Sequence, residues 1–317
     1  MKYAAVIAAA GLSSRMRDFK PLLCLGDKTI IAQVVQSFRA VGVEEIVVVT
    51  GYRSDVLQKH LDALGVRGVE NLRFAETKMY DSLCLGLRAL PEGYDRIFLT
   101  PGDVPLVREE TLRAMLAVDA AAIRPVCQGE SGHPILVTRE VAQTLLTYQG
   151  GGGLRGALDA LGPSVVDVTV DDVGITLDAD TPEDLKRLRR RQMENRSDGR
   201  LWADIQIQIA RGDTILTPET AQFLEMIGHI GSIQNACGCM HMSYTKGWKL
   251  LNHMEQELGY PLVERYPGGA NGGGSALTER GRRLLGAYQT YREVVWEAAE
   301  RLFSQIFTDD LSGERGM

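Results

Sequence analysis

The chain lacks any apolar run near the roughly 20 residues that a membrane-spanning helix needs, so no bilayer segment is expected in it. Cysteine is also sparse: Cys24, Cys84, Cys127, Cys237 and Cys239 are odd in number and scattered, which fits reduced thiols in a cytoplasmic protein better than a disulfide framework. Cations are outnumbered, 35 against 41 acids, for a net charge of −6. Affinity for nucleic acid over the whole surface is thereby disfavoured, whereas a local basic patch is not. Residues 1–10 are apolar but have no distinct basic region or cleavage segment before Gly11, so they read as a buried first strand rather than a signal peptide. What is present is 44% hydrophobic and 24% charged residues over 317 positions, a soluble globular composition long enough for two cores.

Over residues 1–190, β-branched runs alternate with helical patterns. Residues 3–9, 45–50, 72–75, 96–99 and 122–125 read as strands with helices between them. This predicts a three-layer, doubly wound α/β domain, a Rossmann variant with a mainly parallel sheet and sites at the carboxyl ends of its strands. Thr181 suits a helix cap, Pro182 the first turn, and Glu183 and Asp184 the positive end of the helix dipole. That helix ends in a basic, polar tract, and 191–202 is read as a linker. Beyond it, residues 204–209 alternate as a strand before the Arg211-Gly212-Asp213 turn. Helices are expected from Pro218, over 232–238, over 243–258 and over 278–307, with a flexible tail at 308–317.

A loop that wraps a triphosphate needs glycine for close backbone approach and cations to neutralise charge. Ala8-Ala9-Ala10-Gly11-Leu12-Ser13-Ser14-Arg15-Met16 follows the first strand and supplies Gly11 and two small serines, with Arg15 and Lys20 as the cations. It is neither a Walker A loop nor a G-x-G-x-x-G motif. Magnesium is a hard ion held by one or two carboxylates plus water and phosphate oxygens. Asp103 after a strand, with Asp180 or Asp178 before a helix, are the natural candidates. Taken alone, an aspartate in Gly102-Asp103-Val104-Pro105 simply caps its turn, and Gly132-His133-Pro134 is as readily a rigid turn beside a substrate as an acid–base site.

Taken in order, the loop, Val49-Thr50-Gly51-Tyr52-Arg53, Pro101-Gly102-Asp103-Val104-Pro105, Gly132-His133-Pro134-Ile135-Leu136-Val137 and Leu177-Asp178-Ala179-Asp180-Thr181-Pro182-Glu183-Asp184 resemble the molybdenum-cofactor nucleotidyltransferases, the MobA-like NTP transferases, over about the first 190 residues. The loop looks more like the cytidylyl branch than the guanylyl branch. The resemblance implies transfer of a nucleoside monophosphate, CMP favoured, from an NTP to a molybdopterin-type acceptor with Mg2+ (or Mn2+), CTP being favoured over GTP. The acceptor's terminal phosphate would attack the α-phosphorus and pyrophosphate would leave. It implies catalytic roles for Arg15 and Lys20, and nucleotide contacts from Ala9, Ala10, Gly11, Leu12, Ser13, Ser82 and Asp103. It also implies metal binding by Asp103, Asp180 and Asp178, and acceptor contacts from Gly132, His133 and Pro134. The chain departs from the family pattern at Arg17 and Lys78, where glycine is expected, and in Gly150-Gly151-Gly152-Gly153-Leu154-Arg155, which lacks an expected acid.

Residues 218–258 carry three helical segments in the order a helix-turn-helix requires, the third being the one that would enter a major groove. Its exposed candidates are Ser243, Thr245, Lys246 and Lys249, while Trp248, Leu251 and Met254 are spaced to face a core. Pro261-Leu262-Val263-Glu264-Arg265-Tyr266 and Ser275-Ala276-Leu277-Thr278 flank a glycine-rich loop at 268–274, as two strands flank a wing. With Gly231-Ser232-Ile233, Ser243-Tyr244, Trp248 and Arg265, this resembles the DNA-binding domain of ModE-type molybdate-responsive regulators over about 203–307. The resemblance implies a winged helix on double-stranded DNA, contacts from Ser243, Thr245, Lys246, Lys249 and Arg265, and a homodimer through the long last helix with Tyr288, Tyr291, Val294, Val295 and Trp296 near the seam. Cys237, Cys239, Met240, His241 and Met242 form a soft-ligand cluster, but the C-x-C-x-H spacing matches no standard zinc module.

Two functions stay open on the sequence. One is a cofactor nucleotidyltransferase fused to a transcriptional regulator of molybdenum metabolism. The other is a regulator whose degenerate transferase domain senses nucleotide or molybdenum cofactor without turnover, a reading that Arg17 favours.

Overall fold

The computed structural model describes residues 1–11, 19–26, 28–197, 203, 205–269 and 272–307. Leu12, Ser13, Arg15 and Arg17, residues 198–202 of the expected linker and the 308–317 tail therefore lie outside the described residues. The chain divides into two compact units, Met1–Leu188 and Arg189–Met317.

The first unit is built on strands β1 (Tyr3–Ala8), β2 (Cys24–Leu25), β3 (Lys28–Thr29), β4 (Glu45–Thr50), β5 (Arg67–Glu70), β6 (Arg96–Pro101), β7 (Ala122–Cys127), β8 (Glu130–Ser131), β9 (Ile135–Thr138) and β10 (Val165–Thr169). Its helices are α1 (Ile30–Ala40), α2 (Ser54–Ala63), α3 (Met79–Ala89), α4 (Glu109–Leu116), α5 (Arg139–Thr147), α6 (Gly153–Leu161) and α7 (Pro182–Ser197). The main sheet runs β10-β7-β9-β6-β1-β4-β5, with β8 beside β7, while β2 and β3 form a separate small hairpin. Alternation sorts its side chains. Val6, Val49, Leu99 and Val137 join Leu83, Val141 and Leu154 under α3, α5 and α6. Phe98 points the other way, its ring 5.2 Å from that of Phe38 in α1. A Thr29–His60 hydrogen bond of 2.8 Å ties the start of α1 to α2 on that second face. Gly86 lets α3 lie close on the sheet, since a Cβ there would stand 2.3 Å from Val6 Cγ1.

Two expectations are corrected and one is refined. The sheet is mainly parallel as expected, β1, β4, β5, β6, β7 and β10 running the same way, but it is mixed, because β9 runs antiparallel to both β6 and β7. The segment 128–134 between β7 and β9 is too short for the crossover of a dozen or more residues that a parallel return needs. Residues 72–75 form a turn and the strand lies earlier, at β5. Asn71 Oδ1 accepts the Arg73 amide at 3.0 Å, an Asx turn that ends the strand. Residues 205–208 are outside any strand.

The second unit contains strands β11 (Ile209–Arg211) and β12 (Asp213–Leu216), helices α8 (Pro218–Ile230), α9 (Ile233–Cys239) and α10 (Tyr244–Leu258), strands β13 (Val263–Gly269) and β14 (Gly272–Leu277), and helix α11 (Glu279–Ile306). Thr217, Ser232, Ser243 and Thr278 each cap the helix that follows by accepting a backbone N–H, satisfying donors the first turn leaves free. Gly231 and Gly259 end α8 and α10 in the left-handed region, where glycine carries no steric cost. Phe223, Leu224, Ile227, Leu251, Met254 and Leu262 fill the core, and β13 and β14 form an antiparallel hairpin.

Candidate functional site

Parallel pairing aligns Ala8 at the end of β1 with Pro101 at the end of β6. The chain leaving β1 is held on both sides: Ala9 N donates to Val49 O at 2.8 Å, and Gly102 N donates to Ala8 O at 2.8 Å. A cleft with a cavity volume of about 200 Å³ opens here, lined by Ala9, Ala10, Gly11, Lys20, Ser82 and Asp103 among others. Among the described residues, a Cβ on Gly11 would meet no atom within 4 Å apart from its chain neighbours. Ser82 is buried in α3 and accepts from Asn71 Nδ2 at 3.2 Å.

Lys20 sits in a short 3-10 turn, Lys20–Leu22, with its side chain only 11% exposed. Its Nζ lies 3.6 Å from Asp103 Oδ2 and hydrogen-bonds Asp180 Oδ1. The two acidic segments are pinned together through the backbone, Ala179 N donating to Asp103 O at 3.0 Å. Burial pushes the Asp103 carboxyl up from its ordinary range; Lys20 opposes this and Asp180 adds to it. Asp178 is also shifted upward, by burial and then by Asp180 and Asp103, but it is exposed. Three carboxylates around one ammonium favour an added cation. Among the described residues no group of three or more potential ligands could hold a metal by itself. A pair such as Asp103 and Asp180 instead fits magnesium, which completes its shell with water and phosphate.

In the second unit Ser243, Thr245, Lys246 and Lys249 are exposed at or near the start of α10. Two expected contacts are engaged within the protein. Lys246 Nζ lies 2.6 Å from Glu219 Oε1, and the Arg265 guanidinium stacks on the Trp248 ring at 3.9 Å, with Glu255 Oε2 also 3.9 Å away. Leu251 and Met254 are buried as expected, whereas Trp248 is half-buried, beneath Arg265 and edge-on to Tyr244. Tyr288 does not face a seam: it is buried, and its hydroxyl donates to Ile207 O at 2.9 Å.

The description "MobA-like NTP transferase domain" fits residues 5–165, just over half of the chain. The chain belongs to this family. It is 29% identical over 191 residues to the molybdenum cofactor cytidylyltransferase of Escherichia coli (strain K12), covering 60% of this chain and 96% of that protein. A nucleotidyl transferase structure from Methanothermobacter thermautotroptrophicus superposes with a TM-score of 0.54 at 26% identity, covering 61% of this chain and 99% of the other. The C-terminal region is similar to ModE regulators. The molybdenum transport protein ModE of Azotobacter vinelandii is 33% identical over 93 residues, 29% of this chain, which spans 34% of that protein's length.

Within this transferase unit, sequence reasoning missed Asn71, whose Nδ2 also donates to Thr77 Oγ1 at 2.8 Å, and Phe74 and Thr77, which line the cleft. No motif flagged them because they come from a turn that the apolar pattern disguised as a strand. Lys78, at the glycine position of the family pattern, lines the cleft with φ −101°. That conformation is open to any residue, so the lysine adds no backbone strain.

Gly132, His133 and Pro134 precede β9, whose register places Ile135 opposite Leu99 near the end of β6. None of the three lines the cleft just described. A Cβ on Gly132 would stand 2.3 Å from Ile175 O, and His133 N donates to that same carbonyl at 2.8 Å. Among the described residues His133 Nδ1 is buried without a hydrogen-bond partner, and burial lowers its pKa to about 4, which keeps the ring neutral at pH 7. The unfolded imidazole titrates near 6.5, so its stability contribution is fully present above that pH and is lost as pH falls toward the folded value. The melting temperature of the wild type should therefore fall more between pH 6.5 and 4 than that of His133→Asn. Parallel pH profiles would refute this assignment.

Proposed function

We propose that the first unit is a cytidylyltransferase acting on the molybdenum cofactor, with CTP preferred over GTP, and that the second is a winged helix that binds double-stranded DNA. The observation that supports it most directly is Lys20 held between Asp103 and Asp180 at the cleft formed by the ends of β1 and β6. In that cleft Ala9, Ala10 and Gly11 would lie against the nucleotide. Lys20 would turn from the carboxylates to the phosphates, neutralising charge that develops as pyrophosphate leaves. Asp103 and Asp180 would hold Mg2+ (or Mn2+), with Asp178 nearby, and the ion would supply Lewis-acid stabilisation of phosphoryl oxygens when bound. Arg15, Leu12 and Ser13 keep the roles implied by the family loop. Gly132, His133 and Pro134 would border the acceptor, with His133 as a neutral binding group.

For the second unit, α10 would enter the major groove and the β13–β14 hairpin would serve as the wing. Its ion pair with Glu219 is exposed and therefore weak, so Lys246 can exchange it for a phosphate. Tyr291, Val294, Trp296, Leu302, Ile306 and Phe307 leave apolar surface exposed along the end of the chain's last helix and just beyond it, and a second copy would cover it in a two-fold dimer. No described helix is long and apolar enough to cross a membrane, and all five cysteines are buried; their odd number and scatter support a reduced, cytoplasmic setting. We take 1–190 as the transferase domain, 191–202 as linker and 203–307 as the regulator domain.

The test is magnesium-dependent pyrophosphate release with molybdenum cofactor and CTP, GTP or ATP, alongside nucleotide binding. Release with CTP is expected. Tight binding without release would replace the enzyme by a nucleotide sensor. On the DNA side, Lys249→Ala should weaken duplex binding and lower the salt slope by about 1. An unchanged isotherm would move the contact surface off α10.

A further inference from the structure

The hydrogen bonds around Asn71 run in one direction, and they end at the cleft. Asn71 is 6% and Ser82 4% exposed, and Asn71 N donates to Thr50 O at 2.8 Å, which anchors the turn to the end of β4. The Arg73 amide can only donate, and it donates to Asn71 Oδ1 at 3.0 Å. That bond fixes which end of the side-chain amide is oxygen and which is nitrogen. The nitrogen carries two hydrogens and accepts none; it donates to Thr77 Oγ1 at 2.8 Å and to Ser82 Oγ at 3.2 Å. Thr77 directs its own hydrogen to Arg73 O at 3.0 Å. Ser82, which lines the cleft, therefore ends the series as an acceptor from Asn71 whose own hydrogen has no acceptor among the described residues.

We infer that Asn71 is a positioning residue that presents the Ser82 hydroxyl as a hydrogen-bond donor to an acceptor atom on the edge of the nucleobase. The inference rests on the reading of this cleft as a CTP site. Apart from Lys78, the wall contributed by 74–82 is uncharged, formed by Phe74, Thr77, Met79 and Ser82, whereas Lys20 and Asp103 come from other segments. A flat, weakly polar ring suits the first group, and phosphates suit Lys20 and an ion at Asp103. Cytosine carries two neighbouring acceptors, O2 and N3, on the edge where guanine carries the donors N1–H and its 2-amino group. A fixed donor matches the first edge and meets a second donor on the other. A serine hydroxyl left to itself rotates to serve either polarity. The Asn71 amide removes that choice, and a site discriminates best where the wrong ligand leaves its buried polar group unpaired.

The experiment titrates the full chain calorimetrically with CTP, 2-thio-CTP and 3-deaza-CTP in the presence of Mn2+. The analogues replace O2 by a weakly accepting sulfur and N3 by a C–H. One of them should bind the wild type about 3–10-fold more weakly than CTP, the loss of one hydrogen bond between neutral groups, and which one it is names the atom that Ser82 reaches. Ser82→Ala should bring the affinities for that analogue and CTP within about twofold of each other. Asn71→Asp keeps an oxygen for the Arg73 amide but offers an acceptor where the NH2 stood, so the Ser82 hydrogen turns toward it and the preference should again collapse. A purely structural asparagine would shift all three affinities together and leave their ratio unchanged. If the aspartate variant does not fold, Asn71→Ser takes its place, since it keeps a turn-forming oxygen and lacks the NH2; it too should lower the ratio. Equal wild-type affinities for the three nucleotides, or a wild-type ratio preserved in Ser82→Ala or in the folded Asn71 variant, would overturn this inference while CTP binding stands. A wild type that binds no CTP would overturn the cytidylyl reading and this inference together.

Discussion

Asp103→Asn is expected to reduce pyrophosphate release from CTP by about 10²–10³-fold, the range seen when one preorganised charge-stabilising group is removed, while leaving the melting temperature unchanged or raised. The two effects separate because this carboxylate is costly to the folded protein. Burial and Asp180 push its pKa upward, against the pull of Lys20, so at neutral pH its charge is held against a desolvation cost. Asparagine removes the charge and keeps the shape. Lys20 retains its hydrogen bond to Asp180, so no buried ammonium is stranded, and the backbone link from Ala179 N to Asp103 O is untouched. Isothermal titration of Mn2+ in the presence of CTP should show the same variant losing metal affinity. Turnover at the wild-type rate would remove Asp103 from the site. A large fall in melting temperature would show instead that the carboxylate is structural.

The pH dependence of that metal binding has a fixed sign. Asp103 and Asp178 both titrate above the ordinary aspartate range, so protons compete with the cation at higher pH than for solvent-exposed carboxylates. Metal affinity should weaken as the solution is acidified, and Asp103→Asn should flatten that profile.

The parts of this arrangement that sequence made legible are those set by local chemistry. Thr181, Ser232, Ser243 and Thr278 cap helices where capping residues precede periodic apolar runs. Lys20, Asp103 and Asp180 are brought together as the ordered motifs implied. What sequence left hidden depends on pairing between distant segments. The antiparallel β9 follows from the short return at 128–134, whose turn at Gln128-Gly129 is legible only once β7 and β9 are recognised as neighbours. Asn71 and Phe74 were obscured because Leu72 to Ala75 look like a short buried strand, and periodicity alone does not separate such a run from an apolar turn. Trp248 fits the apolar stripe of α10, yet Arg265 reaches across from β13 to cover it, a contact no spacing rule contains. Tyr288 likewise belongs to the seam by helical period but is taken by Ile207 O.

Gly247→Val should make the second unit unfold first on heating, and abolish DNA binding at temperatures above its lowered melting point, while leaving nucleotide binding by the first unit in place. Gly247 is buried in α10, and a Cβ at this position would lie 2.3 Å from Cys237 Sγ and 2.9 Å from Phe223 Cζ, far inside the 3.5–4.0 Å at which carbon contacts become favourable. Neither neighbour has room to retreat, since Phe223 is fully buried and Cys237 is 2% exposed. Overpacking of this kind costs about 1–3 kcal/mol, which outweighs the gain of up to about 1 kcal/mol from removing glycine from a helix interior. For a unit of this size the upper part of that range lowers the melting temperature by about 10 °C. Gly286→Ala in α11 supplies the opposite sign, because its Cβ would meet nothing within 4 Å among the described residues; it should stabilise by up to about 1 kcal/mol. The clash can be located by coupling: Cys237→Ala removes the sulfur nearest the new Cβ, so adding it to Gly247→Ala should recover part of the loss and give a favourable interaction energy in a double-mutant cycle. Additive losses would mean that α9 and α10 do not meet at this glycine, and the packing that presents Ser243, Thr245 and Lys249 at the helix start would have to be redrawn.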